Sequence, residues 1–105
     1  MSQSFLGSYI VGGLSTGLTV TTGAASAQIT IPNCANGLPP RFIRVAATTE
    51  SYVKLGVSGV TATGNDLLIQ PADSMILAVP LGVTTVAYIQ GTSTGKVNVV
   101  PLEMS

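Results

Sequence analysis

The chain has no histidine and no tryptophan, a single cysteine, and charged residues at only 8% of its 105 positions. Each scarcity removes a class of function. Without histidine there is no Ser-His-Asp or Cys-His arrangement for nucleophilic catalysis. Cys34, the one plausible nucleophile, has no partner for a zinc site or an intrachain disulfide. It reads as a small buried or loop residue, which fits assembly in a reducing cytosol. With aromatics at 5%, stacking platforms for sugars or bases are scarce, and Tyr9, Tyr52 and Tyr88 are the only tyrosine contacts on offer.

Charge of either sign is equally sparse. Arg41, Arg44, Lys54 and Lys96 balance Glu50, Asp66, Asp73 and Glu103, so no net field steers nucleic acid, anionic lipid or a charged substrate. Asp66 and Asp73 bracket one expected strand and could approach each other, but two carboxylates without a basic partner make a poor case for acid–base catalysis; solvation of turns and strand ends is the preferred reading. No enzyme activity, cofactor or metal is expected. No apolar run approaches the roughly 18–20 residues of a membrane span. The stretch MSQSFLGSYIVGG places no Lys or Arg ahead of its short apolar patch, which argues against a signal peptide of the usual kind.

What is present is apolar or neutral-polar: 46% hydrophobic residues, with 13 Thr and 10 Ser. An ordinary domain carries about 25% charged residues. Hydroxyls solubilise weakly, and a chain of near-zero net charge tends to associate, so the composition reads as that of a subunit covered by neighbours. The apolar content disfavours disorder. The length allows one domain, residues 1–105, of about 5,500 Å² accessible surface, with residues 1–13 as an extended N-terminal arm.

Val, Ile and Thr recur, and Gly and Pro punctuate at roughly the 8–12-residue spacing of an all-β sandwich or barrel. No helical stripe of useful length occurs. Alternation predicts strands at 9–12, 17–22, 26–31, 41–48, 52–57, 66–70, 74–79, 83–90 and 96–100. That is about eight short antiparallel strands, a compact β-sandwich or a jelly-roll-like barrel. The link TTES suits a tight hairpin that would bring Arg44 and Lys54 onto one outer face as a small, solvated basic spot. The loop PNCANGLPP, Pro32 to Pro40, is too rich in Pro, Gly and Asn to pair, and loops of this size commonly carry contacts.

One stretch, GTSTGK from Gly91 to Lys96, imitates a phosphate-binding loop. The Walker pattern G-x-x-x-x-G-K-[ST] needs four residues between its glycines and a hydroxyl after the lysine. Here there are three, followed by Val97, and VNVVP alternates like a strand instead of opening a helix. The reading is a β-hairpin whose glycines supply positive φ. The glycines of GGLSTG, Gly12, Gly13 and Gly17, carry no phosphate site for want of a strand–helix unit.

The run YVKLGVSGVTATGNDLLIQPADSMILAVPLGVTTVAYIQGTSTGKVNVVP, Tyr52 to Pro101, resembles a pattern common among small virion proteins of tailed bacteriophages. Its marks are a Val-Lys-Leu-Gly strand, a Leu-Leu-Ile-Gln-Pro step, an apolar strand ending in Val-Pro, then Val-Ala-Tyr-Ile-Gln-Gly and Gly-Lys-Val-Asn-Val. The resemblance covers about half the chain and implies a capsid decoration, or cement, protein. It implies a β-sandwich or jelly-roll subunit on the outer surface of the icosahedral head, assembled in the bacterial host cytoplasm. There a dimer or trimer bridges and stabilises the major capsid protein, with no direct contact to nucleic acid or membrane. Terminal segments and long loops reach neighbours without disturbing a sandwich, so the expected capsid or subunit contacts are Phe5, Leu6, Tyr9, Pro32, Asn33, Asn36, Leu38 and Pro39. The alternative is a receptor- or glycan-binding module of a tail or head fibre, since fold alone does not decide function.

Overall fold

Alternation of apolar and polar residues translates directly into strands. In the computed structural model, which describes residues 10–11 and 16–104, nine strands follow in order: β1 (Ile10–Val11), β2 (Leu18–Thr21), β3 (Ala27–Thr30), β4 (Phe42–Ala47), β5 (Ser51–Gly56), β6 (Leu67–Ile69), β7 (Met75–Ala78), β8 (Thr85–Gln90) and β9 (Lys96–Met104). Every expected strand is present, its start within two residues of expectation. The exception in length is β9, which runs through Pro101 instead of stopping before it.

The pairing is nested. β2 pairs with β9, β3 with β8, β4 with β7 and β5 with β6, all antiparallel. Lateral pairing of β4 with β9 and of β5 with β8 then closes two sheets. The first has the order β2-β9-β4-β7, with β1 beside the far end of β9, and the second the order β3-β8-β5-β6. A long antiparallel ribbon rolled up in this manner is the jelly roll. The sandwich and jelly-roll expectations are therefore one architecture.

Two expected hairpins are not formed. β4 and β5 lie in different sheets, and so do β8 and β9, so TTES and GTSTG both cross the sandwich. The Arg44–Lys54 spot fails with the first of them. Arg44 is flanked by Ile76 and Val100 on the first sheet, whereas Lys54 stands beside Ala87 on the second. Gly91 and Gly95 are not among the positive-φ residues. They are small because the crossing is tight: a Cβ on Gly91 would overlap Glu50, and one on Gly95 would overlap Thr49.

The inward faces meet in a core of Ile43, Val45, Val97 and Val99 from the first sheet and Val53, Ile69, Val86 and Tyr88 from the second, closed at one end by Ile31. Fully burying each aliphatic side chain contributes about 1.5–3 kcal/mol. Pro101, opposite Ile43, is fully buried. On the other edge of β9, described partners stop at Val99 and resume at Glu103, so Pro101, which has no N–H to donate, falls in an interval where no described strand asks for one.

The outer faces differ. Residues 57–66, between β5 and β6, fold back across the second sheet: Gly59 N–H donates to Gln28 Oε1 (2.8 Å), Ala62 N–H donates to Ser26 Oγ (2.8 Å), and Val60 packs on Gly56. Beneath this cover Thr85 and Ala87, which alternate outward from the core face of β8, are buried. The outer face of the first sheet has no comparable cover among the described residues, and Ile76 is half exposed there.

Candidate functional site

The nested topology sorts the connections between two ends. One end collects residues 22–26, 48–50, 70–74 and 91–95; the other collects the Pro32–Pro40 loop, residues 57–66, the turn after β7 and the far end of β9. Chemistry divides the same way, into a hydroxyl-rich end and a proline-rich end.

At the hydroxyl-rich end short polar contacts knit the loops. Thr92 donates to Glu50 Oε1 (3.1 Å), Thr94 to Gln90 Oε1 (2.7 Å) and Thr49 to the Ser93 carbonyl (3.3 Å), while Lys96 N–H donates to Thr48 Oγ1 (2.8 Å). A cavity of about 380 Å³ opens between Thr48–Glu50, Thr92–Ser93 and Leu68, Gln70 and Pro71. Its one carboxylate, Glu50, is already engaged by Thr92. Among the described residues no three His, Cys, Asp or Glu side chains gather to hold a metal. Asp66 serves its own turn, accepting from Thr63 N–H (2.7 Å) and Thr63 Oγ1 (3.2 Å), and β6 separates it from Asp73.

At the proline-rich end the loop after β3 is rigidly built. Cys34 N–H donates to the Leu38 carbonyl (2.9 Å), Gly37 N–H to the Cys34 carbonyl (2.8 Å) and Leu38 N–H to Asn36 Oδ1 (2.9 Å), with Gly37 at φ 84°. The buried Cys34 thiol faces the Leu102 carbonyl (3.6 Å), pinning the loop to β9. Across from it, Val83 N–H closes a turn on the Pro80 carbonyl (3.0 Å) with Gly82 at φ 91°. This is a type II geometry that puts Leu81 at the outer corner, where it is fully exposed.

Between loop and turn lies a groove of about 720 Å³. Its walls are Leu38, Pro39, Pro40 and Phe42 on one side and Ala78 to Thr84 on the other, with Arg41 the sole charged residue among the described ones. This size lies within the range of ligand clefts, about 300–1,000 Å³, and the lining is apolar. Of the residues expected to make contacts, Leu38 and Pro39 line this groove; Asn36 lines a smaller adjoining cavity and Asn33 another. Pro32 is half-buried at the base of the loop. Phe5, Leu6 and Tyr9 lie outside the described residues.

Sequence reasoning missed Phe42, Val79 and Leu81, because PLG reads only as a separator until the fold brings it beside LPP. The available signal was a leucine held between a proline and a glycine, the residues that force a turn and leave its corner in solvent. Among the tyrosines offered for glycan contact, Tyr88 is buried in the core, and Tyr52 is half-buried beside Ile89 and Leu68 on the second sheet. Comparison with protein-family models, with curated proteins and with solved structures finds no match to this chain.

Proposed function

We propose that this protein is a structural virion component that decorates a phage head from outside and stabilises it by bridging subunits of the major capsid protein. The single observation that carries this reading is the apolar groove at the proline-rich end, continuous through Phe42 and Ala78 with the uncovered face of the first sheet. Leu38 and Leu81 stand exposed beside it, at 62% and 105%. Such a surface, apolar apart from Arg41 and Arg44, is suited to a protein neighbour. The jelly roll supplies a rigid carrier, and it is an architecture used in viral capsids as well as lectins. The resemblance of Tyr52 to Pro101 to small phage virion proteins points to the same class.

The mechanism is mass action. A subunit that binds only the assembled lattice stabilises it by its binding free energy at every occupied position, and weak contacts repeated by symmetry suffice. No catalytic group is required. The glycan-module alternative is less well supported, since Tyr88 is inside the core and the described residues that wall the polar cavity at the opposite end include no aromatic ring.

The test is the copy number of this chain relative to the major shell protein in purified particles, by quantitative mass spectrometry. A ratio near one, or a simple fraction of it, is expected. A handful of copies, or none, would reject decoration. Leu81→Asp, on an exposed corner, is expected to lower occupancy on particles while leaving the fold unchanged.

A further inference from the structure

We propose that the open edge of β7 pairs with the same edge of a second copy of this chain, giving a twofold dimer in which the two first sheets join into one. β7 closes one side of the first sheet and has no strand beyond it among the described residues. The ladder with β4 fixes which backbone groups face outward. Val79 N–H donates to the Arg41 carbonyl (2.8 Å), and the groups of an antiparallel pair alternate in direction. Leu77 and Met75 therefore also address β4, while Ile76 and Ala78 turn their N–H and C=O to the open edge. The strand Met75–Ala78 carries no charge and no proline, and its register on β4 runs without a bulge, so it lacks devices that commonly guard an edge against pairing.

The layout of charge along this edge identifies the partner. Asp73 lies three residues before Ile76 and Val79 three after it, with Arg41 directly beside Val79 on β4. Asp73 and Arg41 are both exposed. The edge is thus self-complementary about Ile76. When two copies run antiparallel with Ile76 opposite Ile76, Ser74 opposes Ala78 and Asp73 opposes Val79. Each Asp73 then stands two strand spacings, about 10 Å, from the other copy's Arg41, a gap that the two side chains span together. The outward-turned groups of Ile76 meet each other in this same register. A slip of one residue would set edge-facing groups against groups that face β4, and a slip of two would take Asp73 away from Arg41. The contact closes on itself, as isologous contacts do, and a net charge of zero leaves no long-range repulsion between copies. The inference concerns the isolated chain and does not depend on the virion reading.

Sedimentation equilibrium of the full chain tests the interface. Wild type is expected to be a dimer that dissociates on dilution. Ile76→Lys, at a half-exposed position, sets a lysine against its own copy and should yield a monomer with the thermal transition retained. Arg41→Asp and Asp73→Arg should each weaken the dimer by about tenfold or more, since both symmetric ion pairs become like-charge contacts. Mixing these two variants should restore dimerisation, because the mixed dimer again opposes unlike charges at both positions. A wild type that stays monomeric up to about 1 mM overturns the proposal. So does a dimer that Ile76→Lys leaves intact, or a mixture of the two charge variants that dimerises no better than either alone. If Ile76→Lys unfolds the chain, the mixing experiment decides. Failure of the copy-number test with success here rejects only the virion reading, and the reverse pattern rejects only this interface.

Discussion

Thr22 and Gly95 bind each other through three hydrogen bonds: Thr22 N–H donates to the Gly95 carbonyl (2.8 Å), Thr22 Oγ1 donates to the same carbonyl (3.2 Å), and Gly95 N–H donates to Thr22 Oγ1 (2.9 Å). Thr22 is buried, so one hydroxyl fixes the start of β9 against the end of β2. Thr22→Val keeps the shape and removes the hydroxyl, stranding the Gly95 amide. The expected loss is about 1 kcal/mol, the lower end of the cost of an unsatisfied donor, because the Gly95 amide is only part-buried; it is read from urea unfolding. Thr22→Ser should recover most of it.

The glycines of the β8–β9 crossing answer to space. Gly91→Ala and Gly95→Ala push a methyl into Glu50 and Thr49 respectively, and each should cost about 1–3 kcal/mol, as overpacking does. Gly64→Ala meets nothing within 4 Å and should leave the unfolding midpoint unchanged or slightly raised. Equal effects at all three positions would show that the crossing tolerates bulk.

Ala72 is the one described non-glycine residue with positive φ, at 62°. It occupies the third position of the turn Gln70–Asp73, closed by Asp73 N–H on the Gln70 carbonyl (3.2 Å), where a type II turn calls for glycine. The left-handed conformation costs an L-residue roughly 1–2 kcal/mol. Ala72→Gly relieves this at some cost in unfolded-state entropy. A net stabilisation of a few tenths to about 1 kcal/mol is expected in thermal unfolding, and a lowered midpoint would contradict the turn assignment.

Much of the fold was legible because alternation reports which residues share a face. In β4 the period of two puts Ile43 and Val45 in the core and leaves Phe42 and Arg44 on the outer face. Alternation does not report the partner strand. The link Thr48–Glu50 can close a hairpin or cross between sheets about 10 Å apart, since its extended reach exceeds that distance. TTES and GTSTG were therefore misassigned for the same reason. The cover over the second sheet left a trace in TVAYI, where four successive residues from Thr85 to Tyr88 are buried, and such a run marks a strand enclosed on both sides. At the candidate site the Pro32–Pro40 loop was legible from composition. Its partner turn was not, because nothing local in Pro80–Val83 tells where Leu38 will be.

The nested pairing also sets an order of assembly. The β5–β6 pair is the only one of the four nested pairs joined by a direct connection, and each later pair encloses a longer length of chain, ending with Thr21 against Lys96. Contacts so remote in sequence slow folding to roughly milliseconds to seconds. β9 is the last strand in chain order yet lies inside its sheet, flanked by β4 and β2. A nascent chain can roll up its second sheet as soon as β8 is free, but its first sheet stays split until β9 leaves the ribosome.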